Sequence, residues 1–220
     1  MAIQLAQLDT KKVFPHRKVE RVAFFGFADS TKEDPEYKFA FDTAKLVAEN
    51  KYIVVDGGGP GVMGAASSGA KAGGGRTIGV TFYPKNASNF EGKSTANVMD
   101  EEIVTKNYLE RTLRLLEYGQ VYMIFLGATG TLSEFGMAWA MARLYYGHHK
   151  PLILCGKQWY DIIAAITRSM RIRDEELNVF TIVDSPQEAL RELRAIDEEL
   201  QNKPVDDSFV VNDDEKPFIL

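Results

Sequence analysis

The chain has 220 residues, which is enough for one well-buried domain with no requirement for a second. Its composition, 45% hydrophobic and 26% charged, is ordinary for a globular protein, and a net charge of −5 argues against a dedicated nucleic-acid binder. The single cysteine, Cys155, excludes a disulfide within the chain and favours a reducing, cytoplasmic compartment. No apolar stretch approaches the roughly 20 residues that span a bilayer, so no membrane partner is expected.

Short apolar runs alternate with helical patterns along the whole chain. The predicted strands occupy residues 21–26, 52–55, 77–82, 102–104, 121–126, 151–155 and 179–183. The predicted helices occupy residues 35–49, 62–72, 107–118, 132–146, 159–170 and 186–200, the first of them capped by Asp34. This alternation predicts an α/β fold: a parallel sheet with helices on both faces.

Three regions follow from this pattern. Residues 1–20 are predicted to form an N-terminal arm, residues 21–200 a single domain, and residues 201–220 an acidic tail. Residues 83–102 are polar and turn-rich, which predicts a mobile loop over a site. The apolar chain end, Phe218-Ile219-Leu220, is expected to dock either on the domain or on a partner.

The first glycine-rich turn follows the second strand and opens a helix. It runs Gly57-Gly58-Gly59-Pro60-Gly61-Val62-Met63-Gly64. Glycines let the backbone approach a ligand closely, and the free N–H groups of a helix start bind anions. The turn also matches the dinucleotide pattern G-x-G-x-x-G, but the next strand lacks the acid that would hold the ribose, so NAD is not predicted. A tight turn with close helix–strand packing is the alternative.

The second glycine-rich turn lies between a strong strand and a helix, and reads Gly127-Ala128-Thr129-Gly130-Thr131-Leu132-Ser133-Glu134. Its hydroxyl groups surround a helix N-terminus, where a phosphate would be held by N–H groups and the helix dipole. Alternatively, Thr131 is a plain N-cap and Glu134 completes a capping box, with no ligand involved. The lysine of a P-loop is absent.

These motifs together resemble the LONELY GUY (LOG) family, whose members were long described as lysine decarboxylases. The family pattern G-G-G-x-x-G-x-M-G-A appears almost intact in residues 57–65, and the pattern P-G-G-x-G-T-x-x-E corresponds to residues 126–134, with Gly127, Gly130 and Thr131 retained. A family arginine on the helix before the second motif corresponds to Arg111. The resemblance covers roughly residues 20–195. The chain departs from the pattern at Leu126, Ala128 and Thr112, where the family has proline, glycine and lysine.

The resemblance implies that residues 21–200 form a Rossmann-like nucleotide-binding domain and that the protein is usually a homodimer or higher homo-oligomer. It also implies hydrolysis of a nucleoside 5′-monophosphate to free base and ribose 5-phosphate. It implies that Arg111 and Glu134 form the catalytic pair. The residues implied to bind the phosphate or nucleotide are Gly57, Gly58, Gly59, Gly61, Met63, Gly127, Thr129, Gly130 and Thr131. No metal and no cofactor are expected.

Other interpretations stay open at this point. Arg111 can instead belong to a solvated helix face with Glu110 and Arg114. The altered second motif suggests a non-catalytic nucleotide sensor or a carrier of a phosphorylated cofactor on the same fold, as in molybdenum-cofactor carrier proteins. A third hypothesis is an interaction role through residues 205–220. The run His148-His149-Lys150 is expected to be a basic cluster at a helix C-terminus rather than a metal site.

Overall fold

The structure is a computed structural model that describes residues 18–83, 93–202 and 216–219. Most of the predicted N-terminal arm, part of the loop predicted at 83–102 and most of the acidic tail lie outside these residues. The described strands are β1 (Arg21–Phe25), β2 (Ile53–Asp56), β3 (Thr77–Phe82), β4 (Glu101–Thr105), β5 (Val121–Phe125), β6 (Leu152–Cys155) and β7 (Phe180–Val183). The described helices are α1 (Pro35–Glu49), α2 (Val62–Ala72), α3 (Tyr108–Tyr118), α4 (Thr129–Leu144), α5 (Gln158–Ser169), α6 (Asp174–Leu177) and α7 (Pro186–Asn202).

All seven strands form one parallel sheet in the order β4-β3-β2-β1-β5-β6-β7. The predicted α/β, Rossmann-like fold is confirmed. The short strand predicted at 102–104 is the edge strand β4, while α6 was not predicted because a helix of four residues has no period to detect. Strand β1 lies at the centre, paired with β2 on one side and β5 on the other, so the strand order reverses beside it.

Two apolar cores cover the two faces of the sheet. Helices α1, α2 and α7 pack on one face, around strand residues such as Phe24 and Met123. Helices α3, α4 and α5 pack on the other, around Phe25 and Ile124. Alternate residues of each strand point to opposite faces, which explains why the strand runs are apolar throughout.

The ends of the elements depart from the predictions in two places. Asp34 occupies the N-cap position of α1, but its carboxylate accepts hydrogen bonds from the N–H and hydroxyl of Thr31 rather than from the helix. Lys150 does cap a helix C-terminus, but that of α3 rather than of the preceding α4. Cys155 is buried in β6, as a strand cysteine should be, and burial raises the pKa of its thiol.

The chain end docks on the domain. A 3₁₀ turn at Lys216–Phe218 contacts α3, and Phe218 packs against the core beneath it. Ile219 is buried and forms an antiparallel bridge with His149. Of the two alternatives for the apolar end, the structure therefore shows docking on the domain.

Candidate functional site

The two glycine turns meet at the carboxyl end of the sheet, where the strand order reverses. The N–H of Phe27, just after β1, donates to the carbonyl of Leu126 at 3.1 Å, and the carbonyl of Phe27 accepts from the N–H of Val62 at 2.9 Å. The loop after β1 is thus bonded to the start of α2 and to the end of β5. In open parallel sheets this position is the usual ligand crevice.

The first turn needs glycine for its backbone and for close packing. Gly58 and Gly61 have φ values of +69° and +62°, which other residues rarely adopt. A Cβ at Gly57 would lie 1.6 Å from Nη2 of Arg111, and one at Gly61 would lie 2.2 Å from the carbonyl oxygen of Phe27. The positive φ values and the close contacts of this segment therefore agree with the alternative prediction of a tight turn with close helix–strand packing.

The carbonyl groups of the first turn point into the protein. Gly57, Gly58 and Gly59 accept hydrogen bonds from the Arg111 guanidinium at 2.9 Å, the Ser94 N–H at 2.8 Å and the Asn97 amide at 2.9 Å. These three glycines are buried. The segment that carries Ser94 and Asn97 thus covers the first turn, and it belongs to the region predicted as a loop over a site.

The buried carboxylate of Asp56 holds this turn in place through hydrogen bonds. Asp56, the last residue of β2, accepts hydrogen bonds from the N–H of Gly58, the hydroxyl of Ser67 and the amide of Asn97. Burial raises the pKa of Asp56 to about 6, against the lowering effect of those three hydrogen bonds and of the Arg111 charge. This role of Asp56 was not predicted, although its position directly before the three glycines could have indicated it.

Arg111 connects the two turns. Its side chain is 5% exposed and donates from Nε to the carbonyl of Val80 at 3.0 Å and from Nη2 to that of Gly57. Nη2 also lies 3.2 Å from Sδ of Met63, and Nη1 lies 3.9 Å from Oε1 of Glu134. The interpretation of Arg111 as part of a solvated helix face is wrong. Arg111 lies on the buried side of α3, together with Thr112 and Leu115.

The second turn is open to solvent where the first is closed. Gly127 and Thr129 are exposed, Gly130 is half-buried and Thr131 is buried. The first N–H groups of α4 have no acceptor within the helix. A Cβ at Gly127 would lie 2.1 Å from Oγ1 of Thr131, so glycine is required there. Ala128 has a φ of −97°, so alanine costs nothing in backbone strain at this departure from the family pattern.

The capping-box interpretation of the second turn is wrong. Helix α4 begins at Thr129 and its N-cap is Ala128, with no side-chain capping bond. Thr131 and Glu134 therefore lie inside the helix, on its buried side.

Glu134 is a buried carboxylate without a close donor. It is 7% exposed, and no described residue donates a hydrogen bond to it; its nearest charge partner is Arg111, at 3.9 Å. Burial raises the pKa of Glu134 to about 7, and the Arg111 charge opposes that shift. A carboxylate in this setting can exchange a proton near neutral pH, as general acids and bases do.

Among the described residues, no three His, Cys, Asp or Glu side chains lie together in a group that could hold a metal ion. Within the same residues, every helix is too short or too polar to cross a membrane.

The fold is that of an α/β protein whose two glycine turns meet at the point where the strand order reverses. Residues 20–189 match the family model of the SLOG cluster4 family, and the chain belongs to that family. This match shows membership of the SLOG cluster4 family and does not show membership of the LOG family.

Three solved structures illustrate the likeness. The molybdenum cofactor binding protein from Rippkaea orientalis is 25% identical, with a TM-score of 0.60 over 81% of this chain and 98% of that one. The Moco carrier protein from Chlamydomonas reinhardtii is 23% identical, with a TM-score of 0.58 over the same shares. DNA processing protein A from Helicobacter pylori, which binds single-stranded DNA, is 18% identical, with a TM-score of 0.55 over 81% of each chain. The last two show the fold alone.

Proposed function

We propose that this protein binds a small phosphorylated ligand, a nucleotide or a phosphorylated cofactor, and acts as its carrier or sensor. The observation that carries the proposal is the exposed first turn of α4, with Gly130 and the hydroxyl of Thr129 next to free helix N–H groups. The likeness to a molybdenum cofactor binding protein, at 25% identity, supports a carrier role.

The phosphate is proposed to lie on the second turn and not on the first. A phosphate would need N–H donors, but the N–H of Gly58 already donates to Asp56, and Gly57, Gly58 and Gly59 are all buried. In this proposal the first turn forms part of the wall of the ligand site. Met63 contacts Nη2 of Arg111 through its sulfur and so helps to hold the guanidinium in place.

A second candidate function is hydrolysis of the N-glycosidic bond of a nucleoside 5′-monophosphate. Glu134 favours it, because a buried carboxylate without a donor, with a pKa raised to about 7, is destabilising and is typical of a reacting group. In this scheme the carboxylate stabilises the positive charge that develops on the ribose and orients water, while Arg111 holds Glu134 and the substrate.

The deciding experiment has two readouts. Calorimetry with AMP, the other nucleoside monophosphates and the molybdenum cofactor measures binding, and chromatography of the same incubations measures free base. Binding without release of base supports the carrier or sensor. Release of base that disappears in Glu134→Gln, with binding retained, supports the hydrolase. If none of these ligands binds, the proposal is wrong.

We also propose that the protein forms a homo-oligomer through the α3–α4 face, defined by Leu109, Leu113, Leu132, Gly136, Ala140 and Leu144. The four leucines are 41–74% exposed, an unusual amount of aliphatic surface in one place. Along α4 the spacing is symmetric: leucine, glycine, alanine and leucine follow at four-residue intervals. A two-fold axis between Gly136 and Ala140 would let two α4 helices approach closely and cover each Leu132 with the partner's Leu144.

The cytoplasmic location stays a proposal supported by the single buried cysteine. The division into arm, domain and tail likewise stays a proposal.

A further inference from the structure

Tyr108 places a hydroxyl group directly beside the second glycine turn. It is the first residue of α3, it is 41% exposed, and its hydroxyl oxygen lies 3.1 Å from Oγ of Ser133 on α4. A Cβ built on Gly130 would lie 3.5 Å from that same oxygen. The phenol group therefore reaches the opening of α4 from the neighbouring helix.

The position of the Tyr108 ring is fixed by two contacts. Its ring meets that of Phe82 edge to face, with centroids 6.1 Å apart. Just before it, the Asn107 side chain accepts a hydrogen bond from the N–H of Glu110 at 2.9 Å and caps α3, which sets where the helix starts. The hydroxyl is thus held at the turn by the surrounding structure.

The direction of the hydrogen bonds shows what Tyr108 offers to a ligand. Ser133 donates its hydroxyl to the carbonyl of Gly130 at 2.7 Å, so the Tyr108 hydroxyl must donate to Oγ of Ser133. That proton is on an exposed group and can turn toward a stronger acceptor. A phosphate oxygen is such an acceptor, because hydrogen bonds to a charged group are shorter and stronger than those to a neutral hydroxyl.

The turn also carries a second and independent sign of a ligand. Glu134, on the same helix, has a carboxylate that is more than nine-tenths buried and receives no hydrogen bond from a described residue. It faces Arg111 at the boundary between the two turns. An exposed hydroxyl donor and a carboxylate that receives no hydrogen bond from a described residue thus lie on one short stretch of α4 and its neighbour.

We propose that Tyr108 is a ligand-binding residue that donates its hydroxyl to the phosphate group of the ligand and so selects phosphate monoesters over their unphosphorylated counterparts. This inference rests on the proposed function. Neither glycine motif includes this residue, so the motif pattern does not identify it.

The test uses Tyr108→Phe, which keeps the ring and its contact with Phe82 and removes only the hydroxyl. The Kd for AMP and for inorganic phosphate should rise about 5- to 20-fold, the loss expected for one hydrogen bond to a charged group. The affinity for adenosine should stay the same. Tyr160→Phe, which alters an exposed tyrosine on α5, is the matched control and should change none of these values.

The possible outcomes distinguish a failure of the proposed role of Tyr108 from a failure of the proposed function. Wild-type protein that binds AMP, with an equal Kd in Tyr108→Phe, overturns the role of Tyr108 and leaves the proposed function standing. Equal weakening of AMP and adenosine binding also overturns it, because that result indicates a packing role. Wild-type protein that binds no nucleoside monophosphate, no molybdenum cofactor and no inorganic phosphate overturns the proposed function and this inference with it. The melting temperature of unliganded Tyr108→Phe shows whether the variant folds like the wild type.

Discussion

Glu134 shows how a single buried carboxylate can oppose the stability of its own fold. Its side chain lies inside the first turns of α4 with Arg111 at 3.9 Å, too far for a hydrogen bond. Burial raises its pKa from 4.5 to about 7. Between these two values the unfolded chain has released the proton that the folded chain still holds.

The pH dependence of folding follows from this difference. Because the folded state binds the extra proton, the free energy of unfolding should fall as the pH rises from about 5 to 8, by about 2–3 kcal/mol for this group. Glu134→Gln has no charge to bury, so its stability relative to wild type should increase by that amount over the same range. Urea unfolding at pH 5 and pH 8 measures it.

Glu198→Gln, at an exposed position on α7, is the control for this measurement and should follow the wild type. A stability difference between Glu134→Gln and wild type that is the same at both pH values would show that the carboxylate is not desolvated.

The sequence predicted which residues the fold brings together better than it predicted their surroundings. Both motif positions, Arg111 and Glu134, lie together between the turns. The local alternatives, a capping box and a solvated helix face, were wrong. A Thr-x-x-Glu spacing fits a helix cap and a buried helical turn equally well, and only the packing of α4 on the sheet fixes where the helix begins. The partners Val80 and Asn97 come from distant segments, which no local pattern connects.

At the scale of elements, one lysine bonds three carbonyls at the C-terminus of α3, where Arg21 and Tyr122 also donate hydrogen bonds. The ammonium group of Lys150 donates to the carbonyls of Leu116, Glu117 and Gly119 at 2.8–2.9 Å. Burial lowers the pKa of Lys150 to about 7. Three close acceptors match the three N–H groups of the charged form, however, and this geometry favours the ammonium over the neutral amine.

Removing this group should destabilise the fold. Lys150→Met keeps most of the aliphatic side chain but removes the lysine donor from the carbonyls of Glu117 and Gly119, while Leu116 keeps the Tyr122 hydroxyl. The free energy of unfolding should therefore fall by about 2–4 kcal/mol. Lys157→Met, at an exposed position before α5, should change it by no more than about 0.5 kcal/mol. Denaturant unfolding compares the two, and equal values would mean that the carbonyls find water instead.

Element types were predictable because the periods are strong. The continuous apolar strands and the amphipathic α3 leave little ambiguity. The side of the sheet on which each helix packs was not predictable from any one segment, since it depends on the strand order. That Lys150 caps α3 rather than α4 is a consequence of that order.

At the scale of the whole molecule, the α3–α4 face gives a prediction about assembly. Wild-type protein should have twice the 24.6 kDa chain mass, or a higher even multiple, by light scattering. Ala140→Arg introduces a charge twice at a two-fold contact and should yield monomers. Ala164→Arg, at an exposed position on α5, is the matched control and should leave the mass unchanged.

A wild-type protein that is monomeric at tens of micromolar, or an Ala140→Arg variant with wild-type mass, would exclude this face as the interface.

The central place of β1 has a consequence for synthesis on the ribosome. Of the described strands β1 emerges first, and β2, which emerges next, pairs with one of its edges. Its other edge pairs with β5, in a register that joins Val22 to Val121, and so waits for about 100 further residues. At roughly 5–20 residues per second, that edge stays unpaired for about 5–20 s in every nascent chain. Chaperone dependence should therefore concentrate in the interval before β5 emerges, when a buried apolar strand is present without its neighbour.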